Sequence, residues 1–276
     1  MNKKTKRILL PVYAALLLAF LYLPMAVMFL FSFNSGRSTL SLEGFGFHWY
    51  AELMNNARAR DALWNTVILA VSAAAASVIL GVLAAVGMDR LRRKWLRSAA
   101  QSITNLPMMN PEIVTGISMM LLFVSISQLL QIKQALGFHT MLLAHTTFCL
   151  PYVVLSVSPK LRQMDSHLSE AAQDLGCSPA QAFFRVIVPN IATGIAAAFL
   201  LAFTISLDDF VVSNFVGQGF ETLPRFIYDQ TKKRVTPDMY ALSTITFAVI
   251  FILLILSNLL QASSEKKRLR GTARNN

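Results

Sequence analysis

Long apolar runs separated by short polar ones set the pattern of this chain. A helix needs about 20 predominantly apolar residues to cross a bilayer. Stretches of that kind fall at 8–33, 62–88, 103–130, 138–159, 191–216 and 239–261. Prolines and polar residues interrupt the third and fourth, and six spans is the most economical count. The pattern therefore predicts an all-α membrane protein with a single six-helix transmembrane domain over residues 1–276. The polar intervals at 34–61, 160–190 and 217–238, with a basic tail, are too short to form a separate soluble domain.

The interval 160–190 is patterned differently from the rest. Asp165 or Ser166 stands where a helix cap belongs, and Glu170 follows near the positive helix end, where a carboxylate is favoured. Gly176 supplies the residue that most readily adopts the left-handed conformation just past a helix C-terminus. Ser178 then suits a second cap, and Pro179 suits the first helical position, where a missing N–H is no loss. Pro189 breaks the pattern before the next span. A helix, a glycine corner and another helix follow, with Ala171, Ala172, Leu175, Phe183, Phe184 and Val186 giving an apolar side. Local signals leave two uses open for this unit: lying on lipid, or packing into a groove of another protein.

Composition agrees with a membrane location. Of 276 residues, 55% are hydrophobic and 14% charged, against about 25% charged in soluble domains. Lys3, Lys4, Lys6 and Arg7 precede the first span like the basic end of a signal peptide. Its apolar core is too long for one and no small-residue cleavage site follows, so it is expected to remain. Cytoplasmic loops retain Lys and Arg. With both termini inside, the inner segments collect 17 of the 25 basic residues, including five within 90–97 and five from Lys266 onward. The net charge of +11 is then a topology signal and not a nucleic-acid footprint. Lys232, Lys233 and Arg234 are the exception, falling in an outer loop.

Little in the chain suggests chemistry of its own. No GxxxxGK[ST] stretch is present to cradle nucleotide phosphates. His48, His139, His145 and His167 are scattered without metal-ligand spacing, so no metal is expected. Cys149 and Cys177 fall in a span and an inner loop, so no disulfide is expected. A membrane bundle that does work without an energy source of its own needs a handle for another protein, and the capped inner unit is the natural one.

Glu170, Ala171, Ala172, Leu175 and Gly176, followed by Phe183, Val186, Pro189 and Gly194, resemble the EAA loop of ABC-importer permease subunits. Resemblance to the spermidine/putrescine permeases of that class covers most of the chain. It is carried by Phe33-Asn34-Ser35 with Trp49-Tyr50, Pro111-Glu112-Ile113, HTTFCLPYVV at 145–154, SLDDFVVSNFV at 206–216, LPRFIY at 223–228 and ALSTI at 241–245. The resemblance implies the type I importer permease (MetI-like) fold in a bacterial inner membrane. It implies that Glu170, Ala171, Ala172, Leu175, Gly176 and Pro179 form a coupling helix for a cytoplasmic ATPase. The implied partners are a second homologous permease subunit, two ATPase subunits that bind the ATP, and an extracytoplasmic polyamine-binding protein. The chain itself would bind no cofactor and catalyse no reaction.

Charge placement supports a cationic cargo independently. Acids inside spans are costly and normally face a cavity or a partner. Asp208 and Asp209 lie in the outer half of the fifth span, about 26 Å along it. Glu112 follows Pro111 in the third, where a helix can be locally broken. No Lys or Arg lies in either span. These acids are candidate stepping sites for a polyamine, with Phe210, Phe226 and Tyr228 as candidate aromatic faces for ammonium groups. The alternative for Asp208 or Asp209 is to cap backbone at a helix break or to pair with another subunit. Lys232–Arg234 would repel a polycation and suits docking of the binding protein instead. Two other readings stay open: a permease of the same class for another small organic cation or solute, and an ion-coupled transporter using the acids as a proton relay. The second leaves the capped inner unit without a task.

Overall fold

The computed structural model describes residues 3–36, 41–133, 135–165, 167–232 and 236–272, with side chains omitted for 3–10 and 260–272. Contacts divide the chain into two compact units, residues 1–60 with 226–249 and residues 61–225 with 250–276. Ser166, Lys233 and Arg234 lie outside the described residues. Helices account for nearly all of the regular structure. Among the described residues the only β pairing is an isolated bridge between Asn34 and Phe45.

In the first unit, α1 (Lys3–Ser32) runs into a small polar-centred knot before α2 (His48–Asn55). Asn34 is buried there and organises the turn around it. Its side chain donates to the Ser41 carbonyl at 2.8 Å and accepts from Glu43 N–H at 2.8 Å, while the Trp49 indole donates to the Asn34 carbonyl at 2.6 Å. Phe33 stacks on Phe45, with ring centroids 5.1 Å apart. The early Phe-Asn-Ser and Trp-Tyr motifs are thus one structural unit. Between residues 11 and 31, α1 has no buried residue within the chain.

The second unit is built on α3 (Ala57–Asp89), α4 (Lys94–Met109), α5 (Glu112–Leu129), α6 (Phe138–Gln163), α10 (Ala192–Asp208) and α11 (Val211–Val216). Small residues let these helices approach closely, as expected where lipid removes the hydrophobic drive between them. Ala70, Ala73 and Ala74 of α3 are fully buried, and a Cβ on Gly81 would come within 2.6 Å of Val153 in α6. A Cβ on Gly116 in α5 would meet the Phe215 ring of α11 at 2.9 Å. Gly116→Leu is therefore expected to cost about 1–3 kcal/mol through overpacking, read as a lower unfolding temperature of the purified protein; an unchanged temperature would contradict this packing.

Among the described residues, five helices are long and apolar enough to cross a membrane: Pro11–Ser32, Ala57–Asp89, Glu112–Leu129, Phe138–Gln163 and Pro237–Leu259. A sixth is obtained if Pro179–Asn190 and Ala192–Asp208, bent by 74°, count as one. The stretch 103–130 divides between α4 and α5 at Asn110-Pro111, where proline removes the N–H that a continuous helix would need. The stretch 191–216 divides at Asp209-Phe210 into α10 and the short α11. α12 (Leu223–Thr231) and α13 (Pro237–Thr272) complete the chain.

Candidate functional site

Between α6 and α10 the capped unit forms as two short helices around Gly176: α7 (Leu168–Asp174) and α8 (Pro179–Ala182). Gly176 has φ +90°, and the pair Gly176 N–H to Gln173 O (2.9 Å) and Cys177 N–H to Ala172 O (3.0 Å) closes a Schellman turn. Ser178 and Gln181 cap α8 reciprocally: Gln181 N–H donates to Ser178 Oγ at 3.2 Å, and Ser178 N–H donates to Gln181 Oε1 at 2.9 Å. The start of α7 differs from the sequence expectation for Asp165. Its carboxylate accepts from His167 N–H at 2.9 Å, two residues too early to cap the helix. His167 in turn meets Glu170 at 3.2 Å. That hydrogen bond, with the charges of Asp165 and Glu170, raises the His167 pKa above its ordinary value.

Past α8 the helix widens into a π turn over Phe183–Ile187, and α9 (Val188–Asn190) follows. Val188 N–H reaches back five residues to Phe183 O. Pro189 gives the reason: in an α-helix its ring would strike the carbonyl four residues earlier, and a wider turn moves that carbonyl aside. Leu175 is 87% exposed and Phe184 68%, so the unit presents apolar side chains outward. A groove of about 840 Å³ lies behind it, lined in part by Asp89, Arg90, Arg92, Arg97, Arg162 and Glu170.

The second cluster sits at the α10–α11 break, where adjacent acids face opposite environments. Asp208 is exposed, whereas Asp209 is buried. The Asp209 carboxylate closes the first turn of α11, accepting from Val212 N–H at 3.3 Å and Ser213 N–H at 2.8 Å. His145 of α6 completes its surroundings, with Nε2 3.4 Å from Asp209 Oδ2 and 3.1 Å from Ser213 Oγ, and Nδ1 2.7 Å from Ser206 Oγ. The ring is 2% exposed. Of the roles open to Asp209, its geometry is that of the cap.

Glu112 is exposed at the N-terminus of α5. Gly116, one turn further on, packs against Phe215 and the Val211 carbonyl of α11, so Glu112 stands about one turn from the helix that opens at the break. Phe210 begins α11 and is half-buried. Glu112, Asp208, Asp209 and Phe210 thus belong to the second unit, as do Glu170, Ala171, Ala172, Leu175, Gly176 and Pro179. Tyr228 belongs to the first. Lys232 Nζ lies 4.2 Å from the centre of its ring, and Arg58 lies 5.5 Å from that of the buried Phe226. Two of the three aromatic faces proposed for ammonium groups, those of Phe226 and Tyr228, thus already hold a cation of this chain. His145 has no role assigned to it by the sequence; an ionisable residue inside an apolar span was the available signal for it.

A polytopic helical bundle with a capped loop between two spans and a broken helix facing acids is the architecture of a membrane transport subunit. Residues 77–270 match the binding-protein-dependent transport system inner membrane component family, and the chain belongs to that family. It is 36% identical to the putrescine transport system permease protein PotI of Escherichia coli K12, over 92% of this chain and 91% of that one. It is 39% identical to the spermidine/putrescine transport system permease protein PotC of Haemophilus influenzae, over 88% and 92%. The fold is that of solved ABC transporter chains. One is from the bacterial transporter that imports the acidic polysaccharide alginate (TM-score 0.67, 16% identity, covering 95% of this chain and 98% of that one). Another is from the inward-facing MetNI methionine transporter (TM-score 0.56, 18% identity, covering 78% and 96%). The protein is accordingly a multi-pass membrane component of a binding-protein-dependent transport system.

Proposed function

We propose that this chain is a permease subunit of an ATP-driven importer that passes spermidine or putrescine into the cytoplasm. The observation that carries the reading is the exposed Asp208 at the α10–α11 break, with α11 packed on the helix that begins with the exposed Glu112, in spans with no Lys or Arg. A chain of ammonium groups needs such open carboxylates, each weak enough to release it. Phe210 adds an aromatic face. Asp209 holds the break in shape. Tyr228, already bearing Lys232, is left a secondary role on the outer side, and Lys232–Arg234 are assigned to the binding protein. The names of the relatives favour the same cargo.

In this reading both termini are cytoplasmic and the unit from Glu170 to Pro179 docks into an ATPase subunit, two of which bind the ATP. Leu175 and Phe184 insert, with the basic groove behind them receiving acidic groups. A homologous permease subunit pairs with this one, and the unburied length of α1 supplies surface for it or for lipid. The chain performs no chemistry; nucleotide-driven closure of the ATPases moves the coupling unit and switches the cavity from inward- to outward-facing.

Uptake of labelled spermidine by the reconstituted complex tests the acid path. Loss of one charged contact costs about 1.5–3 kcal/mol. Asp208→Asn and Glu112→Gln are each expected to raise the KM for spermidine by about tenfold or more. Unchanged KM in both variants would remove the acid path and leave family membership intact. Excess unlabelled choline should not compete; if it does, the cargo is a broader class of organic cations.

A further inference from the structure

Nothing in the transport reading uses His145, yet it is enclosed at the break, 2% exposed. We propose that His145 is a positioning residue that ties α6 to both sides of the α10–α11 break, so that movement of the coupling unit reaches Asp208. The inference deepens the transport reading and rests on it.

One ring spans the discontinuity. Nδ1 meets Ser206 in the last turn of α10 at 2.7 Å, before the break. Nε2 meets Ser213 in α11 at 3.1 Å and Asp209 at 3.4 Å, after it. With Nε2 protonated, it donates to Asp209 Oδ2 and Ser213 Oγ, and Nδ1 accepts the Ser206 hydroxyl. The cap of α11 does not itself require an imidazole, because the Asp209 carboxylate already takes the Val212 and Ser213 N–H groups. An apolar ring would fill the same space without bringing a polar group out of water. What the imidazole adds is a fixed distance between three helices.

The other end of α6 explains why that distance matters. Helix α6 stays continuous through Pro151 and Pro159 to Gln163, just before the coupling unit. From His145 to Gln163 it extends about 27 Å. Displacement of α7 and α8 by an ATPase therefore acts on one end of a rod whose other end is pinned to the break. Cys149 lies one turn from His145 on the same seam, its thiol 3.5 Å from the Ala202 carbonyl of α10, and reports on that packing.

The test uses the whole complex in proteoliposomes in a Cys177→Ser background, comparing His145→Phe and His145→Gln with wild type. Expected for His145→Phe is a fall of about tenfold or more in maximal spermidine uptake, with KM and binding-protein-stimulated ATP hydrolysis within about twofold of wild type. His145→Gln, which keeps one polar arm, should recover much of the uptake. Parallel loss of uptake and hydrolysis in both variants, or uptake by His145→Phe within about twofold of wild type, overturns the proposal. If His145→Phe does not assemble, the double variant Ser206→Ala/Ser213→Ala, which keeps the ring, is held to the same two outcomes. Absence of uptake by the wild type defeats the transport reading instead. The tie is then read by maleimide labelling of Cys149, expected to rise in His145→Phe and not in His145→Gln; equal labelling in all three proteins overturns it.

Discussion

Gly176→Asp is expected to abolish uptake while leaving the chain in the membrane at its normal abundance. Gly176 stands at φ +90° in the Schellman turn that ends α7, a conformation that L side chains rarely adopt. Holding a non-glycine residue there costs about 1–2 kcal/mol. A Cβ at this position would meet nothing within 4 Å, so the effect is conformational and not a clash. The strain falls on a seven-residue helix, and helices that short have little stability of their own. The corner therefore gives way first, and the exposed Leu175 and Phe184 lose their common orientation. Uptake by the complex should fall by more than about tenfold, equivalent to 1.4 kcal/mol of lost coupling. Gly176→Asn, whose side chain tolerates the left-handed region, should keep part of it. Immunoblotting of membranes beside the transport assay separates coupling from folding. Normal uptake by Gly176→Asp would dismiss this segment as the handle.

Asp209→Ala should instead act on the fold. It strips partners from the Val212 and Ser213 N–H groups and from His145 Nε2, all buried. Each buried donor left unsatisfied costs about 1–3 kcal/mol. A loss in that range should appear as a markedly lower unfolding temperature and reduced membrane abundance. Asp209→Asn should be intermediate, since its amide oxygen still accepts the Ser213 N–H. Asp208→Asn should leave the unfolding temperature near wild type while raising the KM. An Asp209→Ala protein as stable as wild type would show that the cap and the His145 contact carry no weight.

Much of the structure was legible because it depends on neighbours within a few positions. The apolar runs announced the spanning helices. Gly176, Ser178, Pro179 and Gln181 announced the corner and second cap, since each of those hydrogen bonds closes within five residues. Pro111 marked the break before Glu112. Of the two cap candidates, Asp165 or Ser166, Asp165 does not cap α7, for a local reason: its carboxylate takes the N–H two residues on, and His167 precedes α7. The π turn was not legible, because Pro189 announces a helix break but not that the backbone will widen ahead of it.

By itself the sequence determined the class of the protein: how many apolar segments it carries, where the capped unit lies, and that acids without Lys or Arg companions sit within two spans. Only the tertiary structure decided what those acids do. Asp208 and Asp209 are the same residue at consecutive positions, and no pattern along the chain tells them apart. What separates them is His145, 64 residues before Asp209 in another helix, together with the turn of α11 that follows. A carboxylate goes to whichever environment replaces its water best. Buried N–H groups and an imidazole do so for Asp209, and Asp208, with no such shell, stays open.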